Sequence, residues 1–140
     1  MSDATSDPVG SNATDRSPVD PGSLRYDDRG LIPVIVQDAE NGEVLMMAWA
    51  NREALERTLA EGRMVYWSRS RGELWRKGDS SGHVQLWHDL RVDCDADVVM
   101  ARVHQEGAAC HTGERTCFYR SLAGGEDMSS RAEPSDAVDG

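Results

Sequence analysis

The sequence predicts a mainly β, α+β fold in which antiparallel hairpins form a barrel-like sheet with one main helix. Two observations support this fold class. Several short, β-prone apolar runs are separated by turn signals, and a single segment has the spacing of an amphipathic helix. Strands that outnumber helices in this way argue against a doubly wound parallel sheet. A chain of 140 residues suits one domain with one core.

The first predicted hairpin opens the apolar part of the chain. The runs LIPVIVQD (31–38) and VLMMAWA (44–50) are rich in β-prone residues. Between them, Asn41 and Gly42 form a dipeptide that strongly favours a tight turn. We therefore expect two antiparallel strands at the start of the domain.

The one predicted helix covers NREALERTLAEG (51–62). Asn51 is suited to cap its N-terminus, because a side-chain oxygen can accept a backbone N–H bond there. Gly62 is suited to end the helix. The predicted buried face consists of Ala54, Leu55, Thr58 and Leu59.

A second hairpin is predicted from RMVYWSRS (63–70) and ELWRKG (73–78), which flank Arg71 and Gly72, and the following GDSSGH (78–83) is predicted to be a loop.

After this loop the apolar pattern has a period of two, which is typical of a half-buried strand. The residues predicted to share one face are Val84, Leu86, His88, Leu90 and Val92. Two further strands are predicted over VVMARVHQE (98–106) and TCFYRSL (116–122).

Both ends of the chain are predicted to be disordered tails around a domain of residues 24–122. Segments 1–23 and 123–140 are rich in Ser, Asp, Pro and Gly and contain few large apolar residues. They cannot bury enough surface to offset the entropy of ordering.

The formal net charge of −10 is concentrated near the two ends. Residues 1–28 hold six acidic and two basic side chains, and residues 121–140 hold five acidic and one basic. The segment between them, 29–120, holds 14 acidic and 12 basic residues, so it is nearly balanced. The acidic composition therefore does not exclude a phosphorylated ligand for the domain.

The composition also predicts a cytoplasmic protein without a membrane partner. No apolar run approaches the roughly 20 residues of a membrane span, and the N-terminus lacks the apolar region of a secretion signal. Three cysteines would leave one thiol over after any disulfide pairing, so reduced thiols that bind metal or are buried are expected.

Cys94, Cys110 and Cys117 are candidate metal ligands, because thiolates suit zinc. Structural zinc sites usually have four protein ligands, whereas catalytic sites have three and leave one position for water. Three cysteines without a CxxC motif therefore favour an open, hydrolytic site. Cysteines that are simply buried as small apolar residues are the alternative.

The motif DCDAD (93–97) places Asp93, Asp95 and Asp97 at a period of two, which on a strand would align all three carboxylates on one face. A hard cation such as Mg²⁺ would offset their mutual repulsion, although a solvated acidic strand end is the alternative. On that strand Cys94 would point away from the aspartates. Either a bulge re-aims Cys94, or the zinc lies on the opposite face of the strand. We expect the second arrangement, in which Cys110 and Cys117 complete the site from another segment or from another subunit.

Two histidines are candidate acid/base catalysts, because imidazole transfers protons near neutral pH. His111 is adjacent to Cys110, and His104 lies six residues before that cysteine. A fourth zinc ligand and a hydrogen-bonded surface histidine are the alternative roles.

The segment WSRSRGELWRKG (67–78) combines cationic and indole side chains, and GDSSG adds hydroxyls and flexible backbone N–H groups. Guanidinium groups bind phosphate, and indole rings stack on bases. The predicted substrate-binding residues are Trp67, Arg69, Arg71, Trp75, Arg76, Lys77, Ser80 and Ser81. A plain exposed hairpin is the alternative. The short segment and the acidic balance disfavour a nucleic-acid groove.

Together these motifs resemble the phosphoribosyl-AMP cyclohydrolase family of histidine biosynthesis. WSRSRGELWRKGDSSG, DCDAD and ACHTGERTCF occur in the family's order and approximate spacing, and the resemblance covers roughly residues 29–121. It implies a homodimer that uses zinc-activated water, with magnesium also required, to hydrolyse the N1–C6 bond of the adenine ring in 1-(5-phosphoribosyl)-AMP. Asp79 departs from the family pattern, which often has glutamate there.

By motif position, the resemblance implies which residues bind each metal. The three cysteines, Cys94, Cys110 and Cys117, would bind zinc, and the three aspartates of DCDAD would bind magnesium. The zinc ligands would come from both subunits.

Two other functions fit parts of the pattern. A zinc-stabilised nucleotide or nucleic-acid binding module without turnover should keep its ligand affinity after His111→Ala and form no product. A redox protein using Cys110 and Cys117 should lose function on thiol oxidation and need no zinc.

Overall fold

The computed structural model describes residues 16–124. Most of the two predicted tails therefore lies outside the described residues. The elements are a 3₁₀-helix Pro21–Ser23, strands β1 Ile32–Asp38 and β2 Val44–Ala50, helix α1 Arg52–Glu61, and strands β3 Val65–Ser68, β4 Glu73–Arg76, β5 Gln85–Val92 and β6 Val99–Gln105. The 3₁₀-helix falls within the segment predicted as the N-terminal tail.

The six strands form one curled sheet in the order β4-β3-β2-β1-β6-β5. All neighbours are antiparallel except β1 and β6, which pair in parallel. The segment just before β3 bonds to the start of β5, since the Met64 N–H donates to the Gln85 carbonyl at 3.0 Å and the Trp87 N–H donates to the Gly62 carbonyl at 3.2 Å. These bonds help to curl the sheet. The predicted fold class, mainly β with hairpins and one main helix, is confirmed.

The first hairpin and α1 confirm the sequence prediction closely. The Asn51 side chain caps the helix by accepting the Ala54 N–H at 2.8 Å, and Gly62 ends it in the left-handed conformation with φ of 76°. Ala54 and Leu55 pack in the core as predicted, but the predicted burial of Leu59 is wrong, because its side chain is 46% exposed. No helix within residues 16–124 is long and apolar enough to cross a membrane.

The predicted alternation of buried and exposed residues in β5 is wrong at the start of the strand. Gln85 is fully buried and Leu86 is 43% exposed, whereas Leu90 packs against the core. A register irregularity between Trp87 and Asp89 exchanges the two faces of the strand. A bulge of this kind inserts a residue and breaks the period of two.

A buried chain of hydrogen bonds explains how a glutamine occupies the core. The Tyr66 hydroxyl donates to Gln85 Oε1 at 2.5 Å, and Gln85 Nε2 donates to Gln105 Oε1 at 2.7 Å. Buried polar groups are tolerated when they are paired in this way. An apolar pattern cannot predict such a pair.

Two predicted strand positions are wrong. DCDAD forms the turn between β5 and β6, because the Asp93 carboxylate accepts the N–H groups of Asp97 at 2.9 Å and Val98 at 3.2 Å. TCFYRSL (116–122) forms no strand in the described part of the chain. Its Cys117 N–H bonds to the Leu45 carbonyl at 2.7 Å, but the segment turns away and forms no ladder with β2.

Candidate functional site

The turn Asp93–Asp97, which we call the acid turn, gathers three carboxylates at the surface. One ligand oxygen from each of Asp93, Asp95 and Asp97 lies within 4.8 Å of the others, and all three residues are exposed. The predicted grouping is therefore confirmed, although a turn rather than a strand face produces it. Backbone N–H bonds from Asp97 and Val98 lower the pKa of Asp93, while the neighbouring Asp93 carboxylate raises the pKa of Asp97.

Residues 107–118, which we call the thiol loop, carry Cys110 and Cys117. The loop folds back on itself, since the Ala109 N–H donates to the Arg115 carbonyl and the Cys110 N–H donates to the Glu114 carbonyl, both at 3.1 Å. Gly113 allows the bend with its positive φ of 93°.

Long-range contacts hold this loop against the first hairpin. The Arg115 guanidinium bonds to Glu43 at 2.9 Å and to the Asp38 carboxylate, and Thr116 Oγ1 donates to the Val44 carbonyl at 2.8 Å. The loop therefore depends on residues more than 70 positions earlier in the chain.

The two thiols of the loop form a pair. Cys110 is buried, its sulfur accepts a bond from the Thr112 hydroxyl at 3.0 Å, and the neighbouring Cys117 thiol also lowers the pKa of Cys110. The Thr112 bond contributes most to lowering the pKa of Cys110. Although much of the Cys117 residue is exposed, burial of its thiol raises its pKa to about 11.

Cys94 lies apart from this pair, exposed in the acid turn. Within residues 16–124, the acid turn is the one group of three or more His, Cys, Asp or Glu residues whose ligand atoms all lie within 4.8 Å of one another. One chain therefore does not bring all three thiols within this distance. The prediction that Cys94 points away from the aspartates assumed a strand, and it no longer applies because these residues form a turn.

A cavity of about 510 Å³ lies between the second hairpin, the loop that follows it and α1. Six of the eight predicted substrate-binding residues line it, namely Arg71, Trp75, Arg76, Lys77, Ser80 and Ser81. Arg57, Glu61 and Asp79 also line it and were not predicted to do so. The two remaining predicted residues, Trp67 and Arg69, are not in its lining, and the Arg69 guanidinium instead lies 4.7 Å from the centroid of the Trp49 ring.

Ion pairs fix one wall of the cavity. Asp79 Oδ1 accepts bonds from Arg76 Nε at 2.9 Å and from Arg63 Nη2 at 3.1 Å, and Arg76 also bonds to Glu61 at 2.9 Å. The short Asp79 side chain thus reaches two arginines. Glu61 gave no signal in the sequence, because its proximity to the hairpin is set only by how the helix packs.

Lys77 lies at the boundary between the cavity and the thiol loop. Its Nζ donates to the Ala109 carbonyl at 2.8 Å and lies 5.9 Å from the centroid of the Trp75 ring. Burial lowers the pKa of Lys77, although negative charge on Cys117 and Cys110 acts in the opposite direction.

The two candidate histidines have different surroundings. His111 is an exposed residue in the bend of the thiol loop, next to Cys110. His104 lies on β6, where its Nε2 is 2.6 Å from Glu106 Oε2. His111 is therefore nearer in sequence to the thiols, and His104 already has a carboxylate partner.

A second, more open cavity of about 450 Å³ adjoins the acid turn. Arg25, Trp49 and Asp97 are among its lining residues, and the Arg25 N–H donates to the Ala96 carbonyl at 2.7 Å. No sequence pattern associates Arg25 with the aspartates, because their proximity arises only on folding.

A family model and individual relatives of this chain carry the same family name. The sequence model of the family described as "Phosphoribosyl-AMP cyclohydrolase" matches residues 46–119. A protein of that name from Bordetella petrii is 66% identical over 102 residues, which cover 72% of this chain and 76% of the relative. Another of that name from Dinoroseobacter shibae is 62% identical over 109 residues, covering 78% of this chain and 92% of the relative.

Proposed function

Because this chain belongs to the phosphoribosyl-AMP cyclohydrolase family, we propose that it hydrolyses the N1–C6 bond of the adenine ring in 1-(5-phosphoribosyl)-AMP, opening the purine in histidine biosynthesis. The extent of the family match carries the proposal. The matched residues, 46–119, contain the second hairpin, the acid turn and the whole thiol loop with both of its cysteines. All three motifs thus fall within one matched segment.

The acid turn fits a magnesium ion. Octahedral ligands at about 2.1 Å from Mg²⁺ lie roughly 3–4 Å from one another. The three carboxylates are within 4.8 Å of each other, so only small side-chain movements are needed to reach that spacing. Their exposure leaves room for the water molecules that magnesium usually retains, and for substrate phosphates.

The thiol pair fits two of the positions of a zinc site. Cys110 and Cys117 lie in the same loop and are close enough to shift each other's pKa, and thiolates are preferred zinc ligands. We assign the third position to Cys94. Because Cys94 lies outside the thiol group of its own chain, a second copy in a homodimer supplies it.

The chain's own residues have distinct roles in this scheme. The three thiolates would hold a zinc ion, which would supply a water activated near neutral pH, since zinc lowers the pKa of bound water to about 7. Arginine and hydroxyl groups of the cavity bind and orient the phosphorylated nucleotide, with Arg71 and Ser80 among them. The ribosyl group on N1 makes C6 electron-poor, so C6 is the atom attacked.

Departure of N1 requires a proton, and we assign its delivery to His111. This residue is adjacent to a proposed zinc ligand and lies in an exposed bend that substrate can approach. His104 is the second candidate, but its ring is held by Glu106. His111→Ala should therefore lower kcat by about 10²–10⁴-fold, whereas His104→Ala should have a smaller effect.

The decisive test is to incubate the full chain with phosphoribosyl-AMP and to follow the ultraviolet spectrum of the purine. Ring opening should change the spectrum when zinc and magnesium are present, and a zinc chelator should stop the change. No spectral change with both ions present would contradict the proposed activity.

The shared zinc site can be tested separately by mixing subunits. Cys94→Ser and Cys110→Ser should each be inactive alone. Random reassembly of the two should recover about a quarter of the wild-type activity, because half of the dimers are mixed and each of these has one intact site. No recovery, in a mixture shown to exchange subunits, would contradict the intersubunit assignment and leave the activity itself intact.

A further inference from the structure

Lys77 is the only lysine among the 15 basic residues of the chain. All 14 others are arginine, which means that the composition alone favours arginine at any basic position. Lysine presents a compact point charge on a flexible stem, whereas arginine presents a wide planar fork. A bond to a single backbone carbonyl needs one donor and not a planar fork, which is a physical reason for lysine at this position.

The backbone of Lys77 is fixed on both sides. Its N–H donates to the Met64 carbonyl at 3.1 Å, and its carbonyl accepts a bond from Arg63 Nη2 at 2.9 Å. The next residue, Gly78, has a positive φ of 92°, and a Cβ there would lie 2.5 Å from the Val84 nitrogen. The lysine side chain therefore starts from a well-defined point.

The other end of the side chain reaches the thiol loop. Nζ bonds to the carbonyl of Ala109, the residue immediately before Cys110 and 32 positions from Lys77. The ammonium also lies close enough to interact electrostatically with the sulfurs of Cys110 and Cys117. It therefore provides a polar tether and a positive charge beside two proposed zinc ligands.

We propose that Lys77 is a positioning residue for the zinc-binding thiols, and that this role accounts for its conformation better than direct phosphate binding does. Zn²⁺ with three thiolates carries a net charge of −1, and an adjacent ammonium offsets that charge. The bond to Ala109 fixes the backbone that carries Cys110. This inference rests on the proposed function, because it requires zinc at these thiols.

The test measures metal affinity on the full chain, with Co²⁺ as a spectroscopic substitute for zinc. Thiolate-to-cobalt absorption reports whether cysteine thiolates bind the metal. We expect Lys77→Met to weaken Co²⁺ binding by about 10–100-fold, the usual effect of removing a partner of metal ligands. Lys77→Arg keeps the charge and should bind Co²⁺ more tightly than Lys77→Met.

Arg71→Met is the matched control, because Arg71 lines the same cavity but pairs with Glu73 on the exposed hairpin. Its loss should raise KM and leave Co²⁺ affinity unchanged. Lys77→Met should instead lower the metal affinity, and added zinc should restore most of its kcat.

A second measurement needs no substitution, so it holds even if Lys77→Met does not fold. Reductive ¹³C-methylation of the wild-type chain labels one side chain, Lys77, together with the N-terminus. Addition of Zn²⁺ should shift the Lys77 signal in the NMR spectrum and leave the N-terminal signal in place. An unchanged Lys77 signal at saturating zinc would overturn the inference.

The outcomes distinguish a failure of the zinc assignment from a failure of the proposed role of Lys77. A wild-type chain without thiolate-to-cobalt absorption would overturn the zinc assignment and the role of Lys77 with it. Absorption that is normal in the wild type and equally strong in Lys77→Met, at the same Co²⁺ affinity, would overturn the role of Lys77 alone.

Discussion

The acid turn and the thiol loop are both proposed metal-binding regions, but they are built differently. The acid turn is closed by hydrogen bonds between residues at most five positions apart, such as Asp93 with Asp97 and Val98. The thiol loop is held by Lys77 from 32 positions away and by residues of the first hairpin more than 70 positions away. The acid turn is therefore closed mainly by local bonds, with one long-range bond from the Arg25 N–H to the Ala96 carbonyl, whereas the tertiary fold assembles the thiol loop.

This difference has a chemical consequence. One chain presents all three carboxylates of the acid turn together, so it can bind a cation without a partner. The same chain brings together two thiols and leaves Cys94 elsewhere. We therefore expect cation binding at the acid turn to survive disturbance of the fold or of the dimer better than metal binding at the thiol loop does.

The largest expected effect follows from removing one thiol. Cys110→Ser should lose bound zinc and reduce turnover by about 10³-fold or more, because a metal contributes several kcal/mol to transition-state stabilisation. Magnesium binding at the acid turn should persist. Zinc content by elemental analysis and the spectral assay measure both effects.

Thr112→Val is the control for that substitution, since it removes only the hydroxyl that donates to Cys110 and keeps all three thiols. Full zinc content in Cys110→Ser would show that the ligand assignment is wrong.

A smaller effect is expected at the acid turn. Asp95→Asn should weaken magnesium binding at least about tenfold, because the charge of the ligands sets cation affinity. Activity should recover at higher Mg²⁺, and zinc content should not change. Asp89→Asn is the matched control, because Asp89 is paired with Arg91 outside the turn. Equal Mg²⁺ dependence of the two variants would contradict the assignment.

Asp38 tests the attachment of the thiol loop through pH. Burial of its carboxyl favours the neutral form, but N–H bonds from Glu40 and Asn41 and the Arg115 guanidinium outweigh it and hold the pKa of Asp38 below its usual range. A carboxyl whose pKa is lower in the folded than in the unfolded chain stabilises the fold at pH values above its unfolded pKa. This stabilisation is lost as the pH falls through the pKa of the folded state.

Asp38→Asn should therefore cost about 1–3 kcal/mol of unfolding free energy at pH 7, and the difference from wild type should shrink below about pH 4. Urea unfolding at the two pH values measures this. A difference that stays constant with pH would show that the Asp38 charge does not contribute.

The smallest effect is expected from Ala96→Gly in the acid turn. Ala96 adopts a positive φ of 63°, which is unfavourable for residues other than glycine. The substitution should raise the free energy of unfolding by about 0.5–1 kcal/mol and preserve magnesium binding. Thermal unfolding checks the first, and Mg²⁺ titration checks the second. Lower stability would indicate that Ala96 makes a packing contribution that outweighs its strain.

The features that the sequence predicted well are those encoded within a few residues. The first hairpin, the cap at Asn51 and the stop at Gly62 follow from local turn and capping chemistry, and the structure confirms them. The grouping of the aspartates was also predicted, because any short turn or strand keeps residues two positions apart close together. The shape of that segment was not, since the side chain of Asp93 closes a turn that periodicity does not reveal.

The sequence by itself determined the mainly β fold class, the helix limits and the motifs that carry the chemistry. Only the tertiary structure decided that the bulge in β5 buries Gln85, that Glu61 and Asp79 both bond to Arg76, and that Lys77 reaches Ala109. It also decided that the thiols of Cys110 and Cys117 influence each other, and that one chain does not bring all three thiols within 4.8 Å of one another. The physical reason is the sequence separation of the groups involved. Capping and turn bonds join near neighbours in sequence, whereas these contacts form only once packing brings distant segments together.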